Sequence, residues 1–452
     1  MITRLEATRY RCFERLGIDV GDFRVLVGAN GSGKTTLLDL PVLLGDLLRA
    51  NNIAAPFMDR RPEQPPRAGS LNELVFAGRG SDFSMAVEAR LPEIVQTKLV
   101  EGMFARMSKK QKEKYVSALD VERDRWPTHI RYELGLRISS ERELHVVNEY
   151  LFVFPETYGP DRRQGGFHGV SAGANKYWRL ILQREFGYEA EFTPEVSSSG
   201  SKARIAKAAL PATLLAMPRV LFESEAEYPA ARWLHSLLTT EAVFLEPDWS
   251  AMRQASAPGQ PKIITANGRN IPWLALDLKR EGAPDNDSAD YRSERYGDWI
   301  AHVQTALPQV TDIEVRERED DHHAYFVVSY RGDFKVPSPG LSDGTLRILT
   351  LTLLPYLSKQ PALLVTEEPE NGIHPRAIEA VLQSLSSLYD SQVWVSSHSP
   401  VVLARAKLDQ LLCARLADAG GVEMVAGTDH PRLQEWRGGI DLGSLFAAGV
   451  LG

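Results

Sequence analysis

The sequence predicts an α/β protein with a mixed β-sheet core, an antiparallel β-subdomain and a helical insertion. Three observations predict it. GANGSGKTT (Gly28–Thr36) stands between an apolar strand ending in Val25-Leu26-Val27 and a helix that opens near Lys34. HIRYELGLRIS and ELHVVNEYLFVF alternate in polarity and are separated by Ser-Glu-Arg, the pattern of a β-hairpin. From Leu341 onward, helix and strand patterns alternate: a leucine-rich helix, the strand ALLVT, the helix RAIEAVLQSLSSL and the strand QVWVS.

In chain order, residues 2–27 read as two short strands. Pro41 lies inside the helix that follows and is expected to kink or end it. Residues 54–69 form a proline-rich loop and residues 71–90 return to strand. Residues 92–125 are helical and highly charged. The basic run Lys109, Lys110, Lys112 and Lys114 reads as a solvated helix face rather than a phosphate contact. Residues 156–176 and 194–203 are Gly/Ser-rich loops, with mixed helical segments to about 240, and 284–290 is an exposed loop. No internal repeat and no sustained heptad pattern occurs, so no long coiled coil is expected. The domain expectation is one split unit. Residues 1–90 and 128–155 form an N-terminal lobe, 91–127 a helical insertion, 156–330 a helical and mixed insertion lobe, and 331–452 a C-terminal lobe.

Composition narrows the function. The 452 residues carry 43% hydrophobic and 25% charged side chains, ordinary for a globular chain of two or three lobes. Lys plus Arg is 52 against 59 Asp plus Glu, a net charge of −7, which argues against nonspecific coating of DNA. Cys12 and Cys413 lie far apart, so a disulfide framework is not expected and a cytoplasmic location fits. The opening MITRLEATRYRCF has no apolar core for a signal peptide. No run of apolar residues is long enough to span a membrane.

GANGSGKTT matches G-x-x-x-x-G-K-[ST] in the strand-to-helix context that the motif requires. Gly28, Gly31 and Gly33 let backbone N–H groups turn inward around phosphates, with Asn30, Ser32 and Thr36 completing the loop. The helix N-terminus adds partial positive charge. Lys34 reaches the β- and γ-phosphates of ATP, and Thr35 offers its hydroxyl to Mg²⁺. In PALLVTEEPENGIHP, an apolar strand ends in two acids. Glu367 is expected at the Mg²⁺, and Glu368 polarises the water that attacks the γ-phosphate. His398, just past the strand QVWVS, is expected to reach the γ-phosphate or that water. Asp320, Asp321, His322 and His323 read as a solvated turn, and Asp429 and His430 as another turn rather than metal ligands.

Taken in this order, these segments resemble the ABC-type ATPases. Gly28–Thr35 corresponds to the Walker A loop, LSDGT (Leu341–Thr345) to the signature motif, Leu363–Glu368 to Walker B with the catalytic glutamate, and His398 to the switch histidine. Glu370–His374 stands at the D-loop position. The resemblance implies an ABC-ATPase P-loop fold. In that family the signature loop closes over the γ-phosphate held by the other subunit. Ser342, Asp343 and Gly344 would then bind phosphate in trans, and the active form would be an ATP-dependent homodimer, possibly a higher oligomer. The wide separation of Lys34 from Leu341 is similar to the RecF/SMC/OLD branch rather than the transporters. The opening MITRLEATRYRCFERL resembles that branch's opening strand pattern, which implies a nucleotide contact at Arg11. The likeness is specific over about 1–45 and 335–402 and is closest to AAA-type ATPases of prokaryotic defence loci. Two departures stand out. Glu367 replaces the usual Walker B aspartate, and no segment marks the glutamine loop, for which Gln164 and Gln183 are the candidates.

The remainder after His398 is too short for the TOPRIM nuclease domain of OLD-type proteins, and no nucleophile triad or zinc spacing occurs. The leading expectation is an ATPase that gates a separate effector, a nuclease, and the resemblance alone implies a role in antiphage defence. A RecF-like DNA repair ATPase with DNA as partner is the second reading. A slow-turnover ATP sensor is the third.

Overall fold

The computed structural model describes residues 1–60, 65–105, 123–162, 166–196, 205–283, 291–417, 420–433 and 441–449. The basic run Lys109–Lys114, Gln164 and the loop 284–290 lie outside the described residues, as does part of the loop 194–203.

The alternating start folds as an antiparallel pair, β1 (Ile2–Tyr10) and β2 (Phe13–Asp19), followed by β3 (Phe23–Gly28). Three strands stand where two were expected. The β1–β2 turn contains no glycine or proline to announce it. Arg9 and Arg11 take left-handed backbone angles instead, φ +55° and +52°. Helix α1 (Lys34–Arg49) does not end at Pro41 but continues past it for two more turns. Leu37, Leu38, Leu43, Leu44, Leu47 and Leu48 are each at most 2% exposed. Burying six leucines at roughly 1.5–3 kcal/mol each outweighs the roughly 3 kcal/mol of a helical proline.

The chain divides into two units. The first comprises Met1–Gly21, Asp39–Glu241 and Arg415–Met424. Two short 3₁₀ turns, Leu71–Leu74 and Phe76–Gly78, precede β4 (Asp82–Arg90), so only the second half of 71–90 is strand. Helix α2 (Glu93–Ala105) leads toward the hairpin of β5 (His129–Ile138) and β6 (Leu144–Phe154), which pair as their alternation indicates. β7 (Arg179–Glu185), β8 (Ala190–Phe192) and β9 (Ala206–Ala208) extend the sheet where helical segments were expected. Short runs such as RLILQRE suit either state, and pairing with β6 decides for strand. The eight strands run in the order β2-β1-β4-β5-β6-β7-β8-β9, with antiparallel neighbours. Helix α3 (Pro229–Ser236) closes this part of the chain.

The second unit comprises Asp22–Leu38, Ala242–Ala414 and Val425–Gly452. It begins with β10 (Ala242–Leu245) and three helices, α4 (Trp249–Met252), α5 (Ile271–Arg280) and α6 (Glu294–Ala306). A three-stranded antiparallel sheet follows: β11 (Val310–Glu317), β12 (Ala324–Tyr330) and β13 (Phe334–Pro337). The cluster Asp320–His323 forms the exposed β11–β12 turn, as read. Then come α7 (Asp343–Leu353), β14 (Leu363–Glu367), α8 (Pro375–Ser386), β15 (Gln392–Ser396), α9 (Pro400–Arg405), β16 (Leu411–Ala417), β17 (Gly421–Ala426) and α10 (Leu442–Ala447). The sheet order is β10-β14-β15-β3-β16-β17, and the first five strands are parallel neighbours. Their near-continuous apolar runs fit a sheet covered on both faces. The core packs Val25, Val27, Leu364 and Val395 with helix residues such as Trp299 and Leu349.

Parallel pairing has a consequence for function. β3, β15 and β14 are neighbours, so their carboxyl ends lie on one side of the sheet. The loops after Gly28, Glu367 and Ser396 therefore converge, at the position where open α/β sheets bind ligands.

Among the described residues the longest helix is the 16-residue α1, and no helix is long and apolar enough to cross a membrane. Neither Cys12 nor Cys413 is in a disulfide.

Candidate active site

The phosphate loop is shaped by its glycines. Gly28, Gly31 and Gly33 have φ of +148°, +75° and +79°. A Cβ on Gly28 would stand 2.4 Å from the Ala414 carbonyl oxygen, so any other residue would push the loop away from the sheet. The Gly33 carbonyl accepts from Leu37 N–H at 3.0 Å, which starts α1. Lys34 Nζ donates to the Gly28 and Ala29 carbonyls at 3.0 and 2.9 Å. Burial pulls this ammonium below its ordinary range, while Glu367 and Glu368 pull it back. Asn30 and Gly31 are exposed at the loop tip, and Ser32 is buried.

Loop and acids meet in a cleft of about 480 Å³. Asn30, Gly31, Lys34 and Thr35 line it from one side, with Glu367, Glu368, Asn371 and His398 from the neighbouring strand ends. The Thr35 hydroxyl donates to Glu367 Oε1 at 2.5 Å. The longer Glu367 side chain thus reaches the threonine that an aspartate would have served. A hydroxyl and a carboxylate side by side suit Mg²⁺, which binds through one or two protein oxygens and takes the rest of its shell from phosphates and water. Among the described residues no group of three or more His, Cys, Asp or Glu is placed to hold a metal alone.

Glu368 sits at the turn after β14 with φ +43°, a left-handed conformation in a residue with a side chain. Such a backbone costs on the order of 1–3 kcal/mol and persists only where its surroundings hold it. Its N–H donates to Ser396 O at 2.9 Å. Its carbonyl accepts from Asn371 N–H at 2.9 Å and from Arg347 Nη1 at 3.0 Å. His398 Nε2 lies 4.0 Å from Glu368 Oε1. Burial, with Lys34 nearby, lowers the His398 imidazole below its usual value, against the pull of Glu368 and Glu367. A neutral imidazole can hydrogen-bond a phosphate oxygen or a water without competing as a second cation.

LSDGT opens α7. Ser342 Oγ accepts from Thr345 N–H at 3.2 Å as the N-cap, and Ser342 and Asp343 are exposed. A Cβ on Gly344 would come 2.6 Å from the Gly372 carbonyl, so glycine lets the helix start approach the loop after Glu368. Ser342, Asp343 and Gly344 do not line the cleft of their own chain. Arg11 belongs to the first unit, where its guanidinium donates to the Arg67 carbonyl. Gln183 also belongs to the first unit, in β7.

The lining residues that sequence reading missed include Glu246, Trp249 and Arg347. β10 pairs in parallel with β14, with Leu245 opposite Thr366, so Glu246 stands at a strand end beside Glu367. A glutamate rather than a glutamine occupies this edge of the cleft. The available signal was AVFLEPDW, an apolar strand running into a proline and an Asp248 N-cap.

Residues 266–404 match a family model described as "AAA domain, putative AbiEii toxin, Type IV TA system". The matched segment is less than half of the chain. No curated protein matches the chain. Three solved structures are similar at 12% identity. The SmcHead bound to the C-winged helix domain of ScpA has a TM-score of 0.49, covering 94% of this chain and 97% of that one. The Smc head domain with an extended coiled coil, bound to the C-terminal domain of ScpA from Pyrococcus furiosus, has 0.47 with 94% and 95% covered. The SMC head domain from Thermotoga maritima has 0.39 with 94% and 98% covered. The family match spans LSDGT, Glu367, Glu368 and His398, and the phosphate loop follows a strand of the same sheet as the two acids and the histidine.

Proposed function

We propose that the chain binds and hydrolyses ATP with Mg²⁺, and that a nucleotide-sandwich homodimer gates a separate effector, a nuclease, in antiphage defence. The observation that carries the hydrolytic part is the cleft itself. Lys34, the hydrogen-bonded Thr35–Glu367 pair, Glu368 and His398 all line one cavity on the carboxyl ends of parallel strands.

In this reading the loop N–H groups and Lys34 bind the β- and γ-phosphates. Thr35 and Glu367 would hold Mg²⁺, which would supply positive charge against the phosphates. Glu368 accepts a proton from the attacking water, and His398 orients that water or the γ-phosphate. The exposed N-cap Ser342 and the start of α7 offer N–H donors to a phosphate held by a second copy. The dimer reading is supported by the absence of this loop from its own chain's cleft. The defence role is supported by the description of the matched family as a putative toxin of a toxin–antitoxin system.

The test is ATP turnover and light-scattering mass of the wild type and Glu368→Gln. Turnover by the wild type, with a larger ATP-bound species trapped by the variant, supports the reading. A wild type that neither hydrolyses nor assembles with ATP removes it.

A further inference from the structure

Glu368 has an unusual backbone, and one of the groups that hold it comes from outside the strand-end loops. Its N–H is taken by the Ser396 carbonyl at the end of β15, and its carbonyl by Asn371 in the turn that follows β14. The further donor to that carbonyl is Arg347 Nη1, at 3.0 Å, from helix α7. Arg347 is held in its turn. Its guanidinium lies 4.6 Å over the ring of Trp249. Its Nε is buried without a hydrogen-bond partner among the described residues. Burial lowers its pKa, against the pull of Asp343, Glu370 and Glu368. A planar guanidinium stacked on indole and aimed at a carbonyl acts as a fixed donor, a geometry that lysine does not reproduce.

The support for Arg347 reaches the LSDGT loop. Trp249 opens the short helix α4, and Arg253 follows its end. Arg253 Nε donates to the Leu341 carbonyl at 3.1 Å, and its Nη2 pairs with Asp343. The segment 249–253 thus touches α7 twice, at the loop that opens it and one turn further along, where Arg347 leaves for Glu368.

We propose that Arg347, seated on Trp249, is a positioning residue that holds Glu368 in its left-handed conformation and couples it to the LSDGT loop. This rests on the hydrolytic reading above, in which Glu368 is the general base. Arg347 itself touches neither reacting atom in this assignment.

The experiment uses the full chain. Arg347→Met is expected to lower kcat about tenfold or more while KM for ATP stays within about twofold, because ground-state binding is left intact. Arg347→Lys is expected to fail likewise. Trp249→Phe keeps a stacking surface and most of kcat, whereas Trp249→Ala follows Arg347→Met. In a Glu368→Gln background, Arg347→Met adds no further loss, since both act on one group. If Arg347→Met does not fold, the Trp249→Phe and Trp249→Ala pair decides the matter on its own. A kcat within about twofold of wild type in Arg347→Met, or a full additional loss in the Glu368→Gln background, overturns the positioning role. A raised KM with unchanged kcat overturns it too, making Arg347 a nucleotide contact. A wild type without turnover defeats the hydrolytic reading and this proposal together, so the two failures are distinguishable.

Discussion

Lys34 is the cation that the phosphate loop presents to the cleft, and its Nζ already rests on two carbonyls of that loop. Lys34→Ala is expected to abolish measurable nucleotide binding by calorimetry, and wild-type affinity in that variant would refute the phosphate-loop assignment. His129 offers a residue-scale test of stability. It is buried against Phe154, with ring centroids 5.6 Å apart, and burial lowers its pKa to about 4. The unfolded chain binds a proton near pH 6.5 while the folded chain resists it until about 4. Stability from this residue is therefore full above pH 6.5 and is lost as pH falls through that window, by on the order of 3 kcal/mol. Denaturant titrations of His129→Phe should show a flatter acid limb between pH 6.5 and 4 than the wild type. Equal slopes would mean that the ring titrates as an exposed histidine.

Among elements, α10 and α1 make the sharpest predictions. A Cβ on Gly443 would lie 2.1 Å from the Pro400 carbonyl, so α10 seats on the start of α9 only because this residue is glycine. The seated helix brings Phe446 to within 6.4 Å of the His398 ring. Helix α10 thus docks within its own unit. Gly443→Val should unseat α10, reduce turnover through His398 and leave nucleotide affinity near wild type. Unchanged kcat would separate the tail from the site. On α1, Asp39 and Asp46 pair with Arg67, whose side chain is 2% exposed. Removing one member of a buried ionic group strands its partners, so Arg67→Met should cost about 3–5 kcal/mol in urea unfolding. A loss under about 1 kcal/mol would show the site to be solvated.

For the whole molecule, the test lies in assembly. Ser342→Arg places a bulky cation on the exposed cap of α7, leaving Lys34 and the cleft untouched. ATP should still bind, while the ATP-dependent rise in mass should disappear. An unimpaired ATP-induced dimer would remove the trans role of LSDGT. The net charge of −7 keeps DNA a partner to be tested through local patches rather than assumed.

The chemistry of this protein was legible wherever it is written over short covalent distances. GANGSGKTT declares its own turn, because its three left-handed positions call for glycine and its lysine and threonine follow at fixed spacing. TEEPEN and SSHSP each trail an apolar strand, so their acids and histidine could be assigned to strand ends. The helix and strand order after residue 341 was legible for the same reason, since hydrophobic periodicity is local. Tertiary structure decided the rest. Nothing near Arg9 or Arg11 marks the turn between β1 and β2, and nothing in the α1 sequence reveals that buried leucines outweigh Pro41. Nor does TEEP disclose that Glu368 is left-handed. Glu246, Trp249 and Arg347 join the cleft only because β10 pairs in parallel with β14 and α7 packs beside them. Such pairing is settled by the packing of distant apolar faces, a sum over the whole core that no local pattern of residues records.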